Sequence, residues 1–138
     1  MEEVIPPEKR QLGRDGEQAA REYFRSRGYR AFQADWIVYN PHTKEDVLLE
    51  VKHQECFKKP PFDGHGLPIW QVKARLAFEK RHNIRAYLFI LDAGTDIIYG
   101  QWISTLEKGK HYDTTGKSPR RIYPLESYQI LGSHNGND

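Results

Sequence analysis

Glu50 and Lys52 stand two residues apart at the end of the run Val47-Leu48-Leu49-Glu50-Val51-Lys52. Successive side chains of a strand point to opposite faces. A strand here therefore sets Glu50 and Lys52 on one face and Val47, Leu49 and Val51 on the other. Carrying a carboxylate and an ammonium on so apolar a strand forgoes burial unless the pair has chemistry to do. A second carboxylate, Asp35, lies upstream of Asn40-Pro41-His42-Thr43-Lys44-Glu45, whose residue types favour chain reversal. Folding residues 35–39 back on 46–52 as an antiparallel hairpin brings Asp35 opposite Glu50 to Lys52, depending on register. Asp46 shares the face of Glu50 but lies about 13 Å along the strand, at about 3.3 Å per residue, too far to share an ion with it. Carboxylates from adjacent strands, completed by the Val51 backbone carbonyl, make the oxygen set that Mg²⁺ takes together with waters and substrate phosphate. A cation there would polarise a scissile phosphate and lower the pKa of a bound water. Lys52 would orient that water or stabilise the developing negative charge.

These residues need elements to hold them. Residues 11–27 carry apolar or small side chains at spacings of three and four, the pattern of an amphipathic helix, with Gly28 as its stop. Gly13 and Gly16 weaken its first turns by about 1 kcal/mol each relative to alanine, which suggests a close approach at that end. Glu17 borders the apolar stripe and faces a cleft or partial burial. Strands are expected over 29–33, 35–39 and 46–52. Residues 53–66, with Pro60, Pro61, Gly64 and Gly66, read as a mobile loop beside the charged end of the strand. Pro68 suits a first helical turn, and a helix follows to about His82, bearing Gln71, Lys73 and Arg75. Residues 86–91 are unbroken apolar sequence and suit a central strand. A further strand covers 95–103, with Gly100 as a turn or bulge point, and Ser104-Thr105-Leu106-Glu107 has the form of a capping box. Residues 108–117 read as a polar loop, and 122–125 and 128–131 as a final edge segment. The order of helix, three strands, helix and two strands predicts an α/β fold with a mixed sheet flanked by helices.

The 138 residues fit one domain, expected over 9–131, with a flexible arm at 1–8 and a disordered tail at 132–138. The mean hydropathy of −0.80 and 29% charged residues indicate a wet surface. Net charge is only +2, but its distribution is uneven. Residues 9–30 hold seven basic and three acidic side chains, 52–85 hold eight and three, and 35–50 are acidic. Such basic flanks around an acidic centre suit a polyanion, and equally a solvated basic face. Cys56 is the only cysteine, which excludes an intramolecular disulfide and a cysteine-based zinc cluster and fits a reducing, intracellular location. No apolar run reaches the ~18 residues of a membrane span, and the acidic start does not resemble a signal peptide.

Asp35-Trp36-Ile37-Val38-Tyr39-Asn40-Pro41 followed by Val47-Leu48-Leu49-Glu50-Val51-Lys52 resembles the PD-(D/E)xK nuclease superfamily. Gly13-Arg14-Asp15-Gly16-Glu17 before an alanine-rich helix resembles the opening of small Holliday-junction-resolvase-like nucleases. The resemblance covers roughly residues 13–92, with Ala34 where the motif's proline would stand. It implies a restriction-endonuclease-like core with a central sheet of about five strands. It also implies a Mg²⁺-dependent endonuclease, with Mn²⁺ as a substitute, that hydrolyses DNA phosphodiester bonds and selects junctions or branched DNA. By the match, Asp35 and Glu50 bind the metal, Lys52 is the catalytic lysine and Glu17 the supporting helical acid. Gln71 resembles a glutamine that several branches carry near the active site. Arg14, Lys58, Lys59, Lys73 and Arg75 are the expected phosphate contacts, and junction cutting would call for a homodimer. The alternative is a non-catalytic nucleic-acid-binding module on the same core.

Other chemistry finds little support in the sequence. Its six histidines show no metal-ligand spacing, and His53 and His65 could face the cleft but read more readily as loop surface. Gly13-x-x-Gly16 is no phosphate loop, because no strand precedes it and no Gly-Lys-Ser/Thr follows. Cys56 has no evident histidine partner for nucleophilic work. Trp36, Trp70 and Trp102 suit base stacking or, for at least two of them, core or interface positions.

Overall fold

The structure, a computed structural model, describes residues 19–20, 22–23, 30–31 and 37–134. Strands β1 (Arg30–Ala31), β2 (Ile37–Asn40) and β3 (Glu45–Gln54) are followed by β4 (Gly64–Pro68) and helix α1 (Ile69–His82). Then come β5 (Arg85–Asp92), β6 (Ile97–Trp102), helix α2 (Ile103–Lys108), β7 (Tyr112–Asp113), β8 (Arg120–Pro124), a 3₁₀ turn (Leu125–Ser127) and β9 (Gln129–Ser133). Two sheets result: a six-stranded one in the order β1-β2-β3-β5-β6-β9, and a three-stranded one in the order β4-β8-β7. The large sheet is mixed, because β3 and β5 run parallel while their neighbours pair antiparallel. The fold is thus α/β, a mixed sheet flanked by helices.

The hairpin forms where the turn chemistry predicts it. Lys44 takes the left-handed φ of 59°, its N–H bonds the Asn40 carbonyl at 2.7 Å, and the Asn40 side chain accepts from the His42 N–H at 3.0 Å. In β3 the alternation separates two cores. Leu48 joins Leu88, Ile90 and Val72 of α1 on one side. Val47 and Leu49 join Phe89, Leu91, Ala19 and Ala20 on the other, with Val51 packed against them. Glu50 and Lys52 therefore lie on the α1 face, while Ala19, Ala20 and Tyr23 cover the opposite face. Asn83 ends α1 in the left-handed conformation at φ 55°, its N–H on the Glu79 carbonyl, and Lys80, Arg81 and His82 suit the negative end of the helix dipole.

Several sequence expectations are corrected. The expected loop at 53–66 begins with the last two residues of β3 and ends with the first three of β4, every residue of which is buried. A Cβ on Gly66 would lie 1.7 Å from the Arg121 carbonyl oxygen, so glycine here permits close contact of strand with strand. Pro68 is the last residue of β4 and precedes the first helical turn. Helix α2 is present, but its N-cap is Trp102 with no side-chain cap hydrogen bond, so the Ser104–Glu107 box does not form. Gly100 sits inside β6, and the register shift falls at Ile98/Tyr99 instead. The expected loop at 108–117 includes β7. The expected final edge segment divides, with β8 in the small sheet and β9 closing the large one; β9 reaches Ser133, so 132–133 are strand. The expected helix at 11–27 is observed at 19–20 and 22–23, and the rest of it lies outside the described residues.

Candidate functional site

Among the described residues, Glu50 is one of three buried polar or charged side chains, with His65 and Asp92. Its Oε1 lies 3.5 Å from Lys52 Nζ, the pair that the two-residue spacing predicts. Its Oε2 lies 2.6 Å from Arg75 Nε on α1. Arg75 was expected to grip substrate phosphate; instead its charge is committed to Glu50. Because β5 starts level with Val47, α1 must run back down the sheet against the direction of β3. Gln71 precedes Arg75 by about 6 Å of helix rise, close to the roughly 6.6 Å from Glu50 to Lys52 along β3. Gln71 is thus level with Lys52. Its Oε1 is buried and has no hydrogen-bond partner among the described residues. Buried polar atoms are rarely left so, because an unmade bond costs about 1–3 kcal/mol.

The remaining expected site residues divide by location. Val51 belongs to β3 opposite Phe89, with its side chain on the face away from Glu50. Lys58, Lys59 and Lys73 are exposed. Trp70 is 64% exposed beside Gln71, whereas Trp102 is half-buried and stacked under the Arg85 guanidinium at 3.8 Å. Arg14, Glu17, Asp35 and Trp36 lie outside the described residues.

A second cluster forms where the parallel strands end. Gln54 and Asp92 are register partners at the C-terminal ends of β3 and β5, the rim where open α/β sheets place ligands. His65 of β4 sits on them, fully buried. Its Nδ1 is 2.9 Å from Gln54 Oε1 and its Nε2 is 2.8 Å from Asp92 Oδ2. The other carboxylate oxygen of Asp92 accepts from the Gly94 and Thr95 N–H groups. Burial opposes the charge on Asp92, but the hydrogen bonds from His65 and Gly94 outweigh it and hold the carboxyl below its usual range. Burial pushes His65 down against the pull of Asp92. Cys56 completes the group: one ligand atom from each of Cys56, His65 and Asp92 lies within 4.8 Å of the others. Burial, followed by Asp63 and Asp92, pushes the Cys56 thiol up, which disfavours the thiolate that a nucleophile needs. His65 and Cys56 thus correct two expectations, because a histidine assigned to the surface is core and the cysteine does have a histidine neighbour. The available signal was Gly64-His65-Gly66: small residues flanking one large polar side chain in a strand mark close backbone approach on one face and burial on the other.

No family model, no curated protein and no solved structure matches the chain. Among the described residues no helix is long and apolar enough to cross a membrane.

Proposed function

We propose that this chain is a Mg²⁺-dependent endonuclease that hydrolyses DNA phosphodiester bonds, with preference for branched or junction DNA. The observation that carries this reading is a buried glutamate beside a strand lysine, level with an α1 glutamine whose carbonyl oxygen has no hydrogen-bond partner among the described residues. The Gln71 amide oxygen and the Glu50 carboxylate are both hard oxygen donors, of the kind that fits Mg²⁺ or Mn²⁺.

In this reading Asp35, Glu50 and the Val51 carbonyl hold the cation, and Glu17 supports it. The cation, when bound, supplies Lewis-acid polarisation of the phosphate and a water of lowered pKa. Lys52 holds its ammonium beside the attacked phosphate and offsets the charge that develops there. Arg75 orients Glu50 through Oε2. Trp70, exposed on α1, would stack on a base, and the exposed Lys73 would meet a phosphate away from the cleavage site.

A second reading has its own observation. Both oxygens of Glu50 already face cations, Lys52 and Arg75, as a non-catalytic DNA-binding module would leave them. The deciding experiment is cleavage of a panel of four-way, flap, single-stranded and duplex DNAs with and without Mg²⁺, by the wild type and Glu50→Ala. Metal-dependent cutting lost in the variant supports the nuclease. Equal binding with no cutting by either protein supports the module. Solution mass with junction DNA tests whether two copies act together.

A further inference from the structure

We propose that Cys56, His65 and Asp92 form a binding site for a borderline divalent cation of the Zn²⁺ class, distinct from the Glu50 site and independent of the nuclease reading. Proton accounting within the cluster leads there. The Gln54 side chain is oriented by one backbone residue: its Nε2 donates to the Gly66 carbonyl and its Oε1 accepts from the Gly66 N–H, each at 3.2 Å. Oε1 therefore faces His65 Nδ1, and that nitrogen must carry the hydrogen. The Nε2 lone pair of a neutral ring is then aimed at Asp92 Oδ2, 2.8 Å away. Two acceptors at that distance share a proton, and a metal that replaced it would move them apart to about the 3.3 Å edge of a tetrahedral site.

Three features favour the metal. A histidine that ligates a metal commonly donates its other N–H to a carbonyl or carboxylate, which fixes ring and tautomer; Gln54 does this here. The donor set of one thiol, one imidazole and one carboxylate matches Zn²⁺, which takes S, N and O ligands in tetrahedral geometry. Three protein ligands would leave a fourth position. Cys56 and Asp92 both line a cavity of about 430 Å³, together with Asp63, Lys58 and Tyr99, so that position can be filled by water or a small ligand. Asp63 adds negative potential at the mouth. Binding would displace the Cys56 thiol proton and any proton shared by His65 and Asp92 into solvent.

Cobalt(II) titration of chelator-treated protein tests the site, because a tetrahedral cobalt–thiolate centre absorbs in both the visible and the near ultraviolet. The expected result is a thiolate charge-transfer band saturating near about one equivalent, displaced by Zn²⁺, absent in Cys56→Ser and retained in Glu50→Ala. Gln54→Leu should weaken cobalt binding by roughly 10–100-fold while keeping the band. A folded wild type that gives no thiolate band, or a band that survives Cys56→Ser, overturns the proposal. Should Cys56→Ser fail to fold, iodoacetamide alkylation of the wild-type protein decides. Cys56 is the only cysteine, so Zn²⁺ must slow alkylation severalfold, and an unchanged rate overturns the site. Loss of DNA cleavage in Glu50→Ala with the band intact separates this proposal from the nuclease.

Discussion

Two polar clusters share the α1 face of one strand and differ in how they resolve burial. At Glu50 the carboxylate is neutralised twice, by Lys52 and Arg75, both with partly exposed side chains, and the defect is one unpartnered amide oxygen on Gln71. Four residues beyond Glu50 along β3, the half-buried Gln54 meets the buried His65 and Asp92, every polar side-chain atom of the three has a neighbour, and the defect is a surplus of acceptors over protons. The first arrangement keeps its two cations partly exposed to solvent. The second binds the two sheets together, because His65 comes from β4 and its partners from β3 and β5. A buried group whose partners come from separate elements acts mainly on stability, whereas an incompletely satisfied one beside exposed cations is suited to a ligand.

That contrast can be broken by mutation. The largest effect is expected from Glu50→Ala, which should reduce Mg²⁺-dependent DNA cleavage to background while leaving the DNA affinity, measured by a mobility shift, nearly intact. His65→Ala should destabilise the fold by about 3–5 kcal/mol in a denaturant titration, since it strands the Asp92 carboxylate without its buried partner. If that variant is as stable as wild type, the strand-end cluster does not hold the sheets together. Gln71→Leu should work in the opposite sense, raising stability by roughly 1–3 kcal/mol by removing the orphaned carbonyl while lowering cleavage. A gain in stability with unchanged cleavage would remove Gln71 from the active site.

Tyr128→Phe is expected to cost about 1 kcal/mol, because the phenol donates to the His65 carbonyl at 2.7 Å. The smallest effect belongs to the small sheet. The hydrogen bond from Arg121 holds the Asp113 carboxyl below its ordinary value of 3.8. Its contribution is therefore present above that value and is lost as pH falls through the lower folded one. Asp113→Asn should be slightly less stable than wild type at neutral pH, and the difference in Tm should vanish in acid.

Element types were more legible than partners. The alternation in 47–52 was readable because one face of β3 must be apolar, and β5 because its run is unbroken; both are as expected. The strand β4 was hidden because Gly, His and Pro usually punctuate loops, and here they serve a strand pressed against β8. The Ser104–Glu107 box matched a pattern of residue types, but the chain enters α2 directly from β6 at Trp102.

The Glu50–Lys52 adjacency was written in the sequence, since a period of two needs nothing beyond the strand itself. Arg75 on Glu50, and His65 between Gln54 and Asp92, were not. Those contacts span 25, 11 and 27 residues and depend on how α1 and the small sheet settle on the large one. Local spacing determines which face a side chain takes. What it meets there is decided by the packing of distant elements, through burial that no short stretch of chain encodes.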